Sequence, residues 1–201
     1  ENLCASMRFL GSASVFPHVQ GMFREYFVMG ERQCYPITSA VTTSELAFAE
    51  PLSVALHAVN RAGNLLGRTV LVTGGGPIGC LIVMAARLAG AAHIVVTDVV
   101  DRPLATAKAV GADRCVRVDQ IPGGPAAVAE AIGDKDAALE AAGNPTAALT
   151  CLAAVGRGGR IVQVGTLPGE SLQIPANQIM VREIDYVGTF RFGVEFEWAV
   201  R

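Results

Sequence analysis

Residues 69–101 read TVLVTGGGPIGCLIVMAARLAGAAHIVVTDVVD, and they constrain the fold more than any other stretch of the chain. A short apolar run of β-formers, 69–73, ends in three glycines and Pro77. A helical pattern starts at once, and a second apolar run, 93–97, closes on Asp98. A strand, a glycine turn, a helix and a strand ending in an acid form the layout that holds a dinucleotide. In that layout Gly74 allows the sharp turn out of the strand. Gly76 lets a pyrophosphate approach the backbone, and Gly79 lets the helix pack closely on the sheet. The unpaired amides at the helix start then face the phosphates. Asp98 follows Gly79 by 19 residues, near the usual ~20. A carboxylate there can accept hydrogen bonds from the adenosine ribose and would repel a 2′-phosphate. NAD is therefore expected in preference to NADP, although Arg102 stands close enough in sequence to soften the repulsion.

The same alternation continues downstream. Strand-like runs occur at 69–73, 93–97, 114–118, 136–140, 160–164 and 184–189, with helical stretches around 77–89, 101–110, 124–132, 145–155 and 175–181. Strands alternating with helices predict an α/β fold, a doubly wound parallel sheet of the Rossmann type. Residues 1–46 differ: they carry aromatics, turn residues and short β-type runs such as 23–29, with no alternating helices. They read as the tail of a separate β-rich domain. Residues 45–62 have helical spacing. The expected division is 1–46, a connecting helix at 47–67, and a dinucleotide-binding domain at 68–201. The chain starts on Glu1 and stops at FEWAVR inside a helical pattern, so it reads as a piece of a longer protein.

Composition narrows the partners. A net charge of −2 leaves no electrostatic footprint for nucleic acid or an anionic membrane. The longest apolar stretch is interrupted by Arg87 and His93, too soon to span a bilayer. The five cysteines are scattered, with no C-x-x-C pair. A disulfide framework is not expected, and a reducing cytoplasm fits.

Several segments together resemble the zinc-dependent medium-chain alcohol dehydrogenases, polyol branch. They are FAEPLSV at 48–54, GGGPIGC, VVTDVVDRPLATAKAVGAD, EAAGNP at 140–145, GGRIVQVGT at 158–166 and VGTFRF at 187–192. The resemblance implies that residues 1–46 end a GroES-like catalytic domain. It implies NAD or NADP as cofactor, zinc in the full-length protein, and oxidation of a secondary alcohol on a small sugar acid or polyol. L-Idonate, giving 5-keto-D-gluconate, is the favoured sugar acid. A homo-oligomer is implied as well, with the last strand, 184–189, able to pair edge to edge.

The resemblance also assigns residues. Glu50 matches a glutamate that reaches the catalytic zinc directly or through water; by itself it reads as an acid at a helix start. Cys4 matches the last of four cysteines around a structural zinc, and one cysteine cannot hold tetrahedral zinc alone. The other ligands of both sites would lie upstream, so neither site is expected to be fully ligated here and this piece alone is expected to be inactive. Val164, Gly165 and Thr166 match backbone contacts to the nicotinamide, and Thr189 and Phe190 a second strip on that side. Ile78 matches a residue packing under the cofactor. Read alone, these apolar positions would be ordinary core. Arg191 matches an arginine facing the substrate, where a guanidinium could grip a carboxylate in a two-pronged bond. Neutral polyol substrates accompany the same arginine in relatives, so it supports a hydroxyl-rich substrate without deciding for an acid. Phe192 stands where many polyol enzymes have tyrosine, and Pro103 where the family has an adenosine-side arginine.

Overall fold

The structure is a computed structural model describing every residue except Glu1, Ser14, Thr38, Ser39, Glu170 and Ser171. Six strands form one parallel sheet: β1 (Thr69–Thr73), β2 (His93–Asp98), β3 (Arg114–Arg117), β4 (Lys135–Glu140), β5 (Val155–Gln163) and β6 (Asp185–Gly188). Their order is β3-β2-β1-β4-β5-β6, and every pairing is parallel. The order reverses between β1 and β4, which opens a crevice beyond the carboxyl ends of those strands.

Side-chain alternation along each strand builds two cores. Val70, Val72, Ile94, Val96, Ala137 and Leu139 point to one face. There they meet α2 (Ala49–Ala62), α3 (Pro77–Leu88) and α4 (Asp101–Ala109). Leu71, Val95, Ala138 and Ile161 point to the other, against α5 (Gly124–Ile132) and α6 (Pro145–Ala154). Strands covered on both faces are apolar on both faces, which is why 69–73 and 93–97 read as continuous hydrophobic runs. At the start of α6, the Asn144 side chain accepts from the Ala147 amide at 2.9 Å and Pro145 takes the first helical position.

The α/β expectation and the six strand positions agree with the structure, with most strands differing by a residue at one or both ends and β5 starting earlier. Arg117 ends β3, and Val118 opens a 3-10 turn. β5 begins at Val155 rather than 160, because Val155 already pairs with Lys135 before a register shift. The helix expected over 45–62 is split into α1 (Thr43–Leu46) and α2. A capping box between Thr42 and Glu45 starts α1.

Residues 1–46 depart from the expectation of a β-rich tail. Among the described residues they contain no strand, only a 3-10 turn at Glu31–Gln33 and α1. The run 23–29 forms no strand and bends at residues 24 and 25. β-propensity measures fit to a pleated, half-buried surface, and none of the described segments pairs with this run as a ladder. Phe23, Tyr26 and Val28 are accordingly exposed. The chain ends with α7 (Ala176–Arg182) and α8 (Glu195–Ala199). Among the described residues no helix is long and apolar enough to cross a membrane.

Candidate functional site

The turn from β1 into α3 is held at close quarters. Gly74 sits at φ +93°, and a Cβ there would come within 2.8 Å of the Ala142 amide. Its own N–H donates to Thr97 O at 2.7 Å. A Cβ on Gly79 would collide with the carbonyl oxygen of Gly74. Gly76, the N-cap of α3, is different: a Cβ there would meet nothing within 4 Å. The two glycines that must turn the chain and pack the helix are thus crowded by protein, while the one expected to face phosphate opens onto free space. Pro77 occupies the first position of α3, where a missing N–H costs nothing.

Asp98 ends β2 beside this turn and is occupied by backbone. Its Oδ2 accepts the Gly75 amide at 2.7 Å, and its Oδ1 accepts the amides of Val99 at 2.7 Å and Val100 at 3.0 Å. Sequence reasoning missed Gly75. A Cβ there would come within 3.1 Å of the Pro103 backbone, so the start of α4 lies close over the glycine turn. A cleft of ≈ 300 Å³ opens between the ends of β1, β2 and β4. Thr73, Asp98, Val99, Val118, Asn144 and Thr146 are among its walls. On the far side of the turn a larger, mostly apolar groove of ≈ 740 Å³ runs between α3 and α4.

The positions matched to the nicotinamide side gather at the ends of β4, β5 and β6. Val164 and Gly165 donate their amides to the Glu140 carbonyl, at 2.9 and 2.8 Å. Thr166 lies against Gly143. The Thr189 amide donates to Gln163 O at 3.1 Å, and its hydroxyl is buried with no hydrogen-bond partner among the described residues. Phe190 is exposed, and its carbonyl accepts from the Asn2 side chain at 2.9 Å. Ile78 is half-buried and packs on the α2–α3 side of the core. Glu140, Gln163 and Gly143 had been given no role. The signal was an acid closing the otherwise apolar end of β4.

Arg191 adopts φ +55°, a conformation that costs a non-glycine residue energy and that clusters at functional sites. Its guanidinium lies 3.7 Å from the Phe9 ring centroid and 5.0 Å from that of Phe190. Its Nε is buried with no hydrogen-bond partner among the described residues. The cation is stacked on aromatics and has no carboxylate partner among the described residues.

The positions matched to metal do not meet. Glu50 is exposed in the first turn of α2, and Cys4 is exposed elsewhere. Among the described residues no three His, Cys, Asp or Glu side chains gather as a metal site. These residues alone therefore do not fit a zinc ion. Farther along α2, His57 Nδ1 bonds Glu195 Oε1 at 2.9 Å. Glu195 is buried. Burial pushes its carboxyl up, but His57, the Gly193 amide and Asn60 outweigh that and hold it down to about 2.

A family model described as zinc-binding dehydrogenase matches residues 77–201. L-Idonate 5-dehydrogenase (NAD(P)(+)) of Escherichia coli is 43% identical over 202 residues, which is 100% of this chain and 57% of the relative. The crystal structure of the Escherichia coli enzyme matches with a TM-score of 0.91 at 42% identity, again over 100% and 57% of the two chains. Sorbitol dehydrogenase of Gallus gallus is 35% identical over 199 residues, 96% of this chain and 56% of that protein. A protein from Sinorhizobium meliloti, described as a zinc-binding dehydrogenase and bound to NADP, has a TM-score of 0.89 at 31% identity, covering 99% and 58%. The chain thus spans a little over half the length of the relatives it matches. With a parallel 3-2-1-4-5-6 sheet, an open Gly76 and these similarities along its length, the chain belongs to the zinc-binding, medium-chain dehydrogenase family, in its polyol branch.

Proposed function

We propose that this chain is the cofactor-binding portion of an NAD(P)-dependent dehydrogenase that oxidises a secondary alcohol of a sugar acid or polyol, with L-idonate as the first candidate substrate. The observation that carries this reading is the glycine turn: Gly74 and Gly79 locked by contact, Gly76 open, and Asp98 fixed alongside. The pyrophosphate lies over Gly76 and the start of α3, where amides and the helix dipole favour negative charge. Adenosine enters the ≈ 300 Å³ cleft between Val99 and Val118. Oδ2 of Asp98 holds one amide and keeps an acceptor position for a ribose hydroxyl. The nicotinamide end reaches the 164–166 and 189–190 backbone. Bound NAD(P) supplies the hydride acceptor.

The chain's own residues then bind and orient. Arg191, stacked on Phe9 and with no carboxylate partner among the described residues, offers its guanidinium to a carboxylate or to hydroxyls of the substrate. Glu50 contributes at the metal site only if ligands beyond the described residues complete it. The division at 46 and 67 is part of the same reading.

Steady-state kinetics of the complete enzyme test it. L-Idonate is expected to give a higher kcat/KM than sorbitol or xylitol, with NAD+ and NADP+ compared on each. A higher value on the neutral polyols would move the substrate to a sorbitol-type polyol, and no dehydrogenase activity on any of them would refute the reading. One observation favours a second reading for the chain by itself, a cofactor-binding module without catalysis: among the described residues Glu50 belongs to no cluster of three or more metal-ligating side chains.

A further inference from the structure

The structure contains a side-chain relay that links β4, β5 and β6. Glu140, at the end of β4, is fully buried. Its Oε1 accepts the amides of Ala142 at 2.9 Å and Gly143 at 2.8 Å. Its Oε2 accepts from the Gln163 side-chain amide. That same Gln163 Nε2 donates to the Gly165 carbonyl at 2.8 Å. The other end of the Gln163 amide, Oε1, accepts the Tyr186 hydroxyl proton at 2.7 Å, from β6. Burial pushes the Glu140 carboxyl up, and the Gly143 amide, Gln163 and the Ala142 amide draw it back.

The relay has a fixed direction. The Glu140 carboxylate and the Gly165 carbonyl can only accept, so the Gln163 NH2 faces them and its oxygen faces Tyr186, whose hydroxyl therefore donates. Flipping the amide would place its oxygen against both acceptors. The space around it is also closed. A Cβ on Gly165 would come within 2.7 Å of Glu140 Oε2, and one on Gly143 within 2.9 Å of Thr166 O. The Glu140 carbonyl holds the Val164 and Gly165 amides, and the Gln163 side chain holds the Gly165 carbonyl. The glycine turn has its own ties, to Thr97 and Asp98.

We propose that Gln163, oriented by Glu140 and Tyr186, is a positioning residue that sets the Gly165 peptide against the nicotinamide, a role resting on the cofactor reading above. Gln163 does not touch the reacting atoms. It fixes the backbone that does, and so it acts on the nicotinamide half of the cofactor and leaves the adenosine half alone.

The test compares NADH with ADP-ribose, which lacks the nicotinamide, by calorimetry on the full chain. Gln163→Leu keeps the bulk and removes both amide functions. It is expected to bind ADP-ribose within about threefold of the parent and NADH at least tenfold more weakly, and the fluorescence of the added NADH should stay close to that of free NADH. Tyr186→Phe removes one hydroxyl and should weaken NADH about threefold with ADP-ribose unchanged. If Gln163→Leu loses both ligands alike, or neither, the proposal is overturned while the cofactor reading stands. If Gln163→Leu does not fold, Tyr186→Phe decides: NADH binding equal to the parent overturns the proposal. A parent chain that binds neither ligand overturns the cofactor reading and this proposal with it.

Discussion

The carboxylate of Asp98 holds three backbone amides, so replacing it changes a charge and a loop together. Asp98→Ser is expected to shift preference from NAD toward NADP, because the negative charge facing a 2′-phosphate is gone. It should also cost about 1–3 kcal/mol of stability, the usual penalty for a buried donor such as the Gly75 amide left unmatched. Kinetics with each cofactor and a urea midpoint measure the two effects separately. An unmoved cofactor preference would refute the assignment of Asp98. Its position was legible because a turn and a strand end are local features, set by glycines and alternation within 30 residues of chain. Its amide partners were not, since Gly75 lies 23 residues away and meets Asp98 only once β1 and β2 pair. Glu140 was missed for a related reason. An acid at the end of an apolar strand signals a buried partner without naming one.

Among the elements, α2 is tied to α8 by side-chain polar contacts. His57 and Asn60 on this helix grip Glu195 of α8, which also accepts the Gly193 amide at 2.8 Å. The grip ties α2, with Glu50 at its start, to the strip holding Thr189 and Arg191. The Glu195 carboxyl sits at about 2 when folded, below its ordinary 4.5. The pairing therefore stabilises fully above about pH 4.5, and the gain is lost as pH falls toward 2, amounting to about 3 kcal/mol. Thermal unfolding between pH 5 and 3 should show the parent losing stability more steeply than Glu195→Gln. Parallel slopes would remove Glu195 from the acid response. Nothing local to His57 in the sequence could tell that its partner would arrive 138 residues later. The run 23–29 fails in the opposite sense: its composition favours a strand, but a strand needs a neighbour to pair with.

At the scale of the molecule, the sheet leaves β3 and β6 as edges. An exposed parallel edge invites another chain unless something covers it. Pairing through β6 is expected to give a dimer or a multiple of one, and sedimentation velocity should find at least twice the monomer mass at micromolar concentration. A monomer throughout would exclude edge pairing.

What the residues alone determined was local: alternation with period two gave strands, period near 3.6 gave helices, and the glycines with Asp98 gave a turn that can face a phosphate. These follow from backbone sterics and side-chain spacing over a few residues. Which buried polar groups would meet was decided only by tertiary structure. The strand order places β4 between β1 and β5, and that adjacency brings Glu140 to Gln163, Gln163 to Tyr186, and Gly74 against Ala142. A carboxylate or amide can pair with many partners, and only strand order and register select which one lies within hydrogen-bond reach.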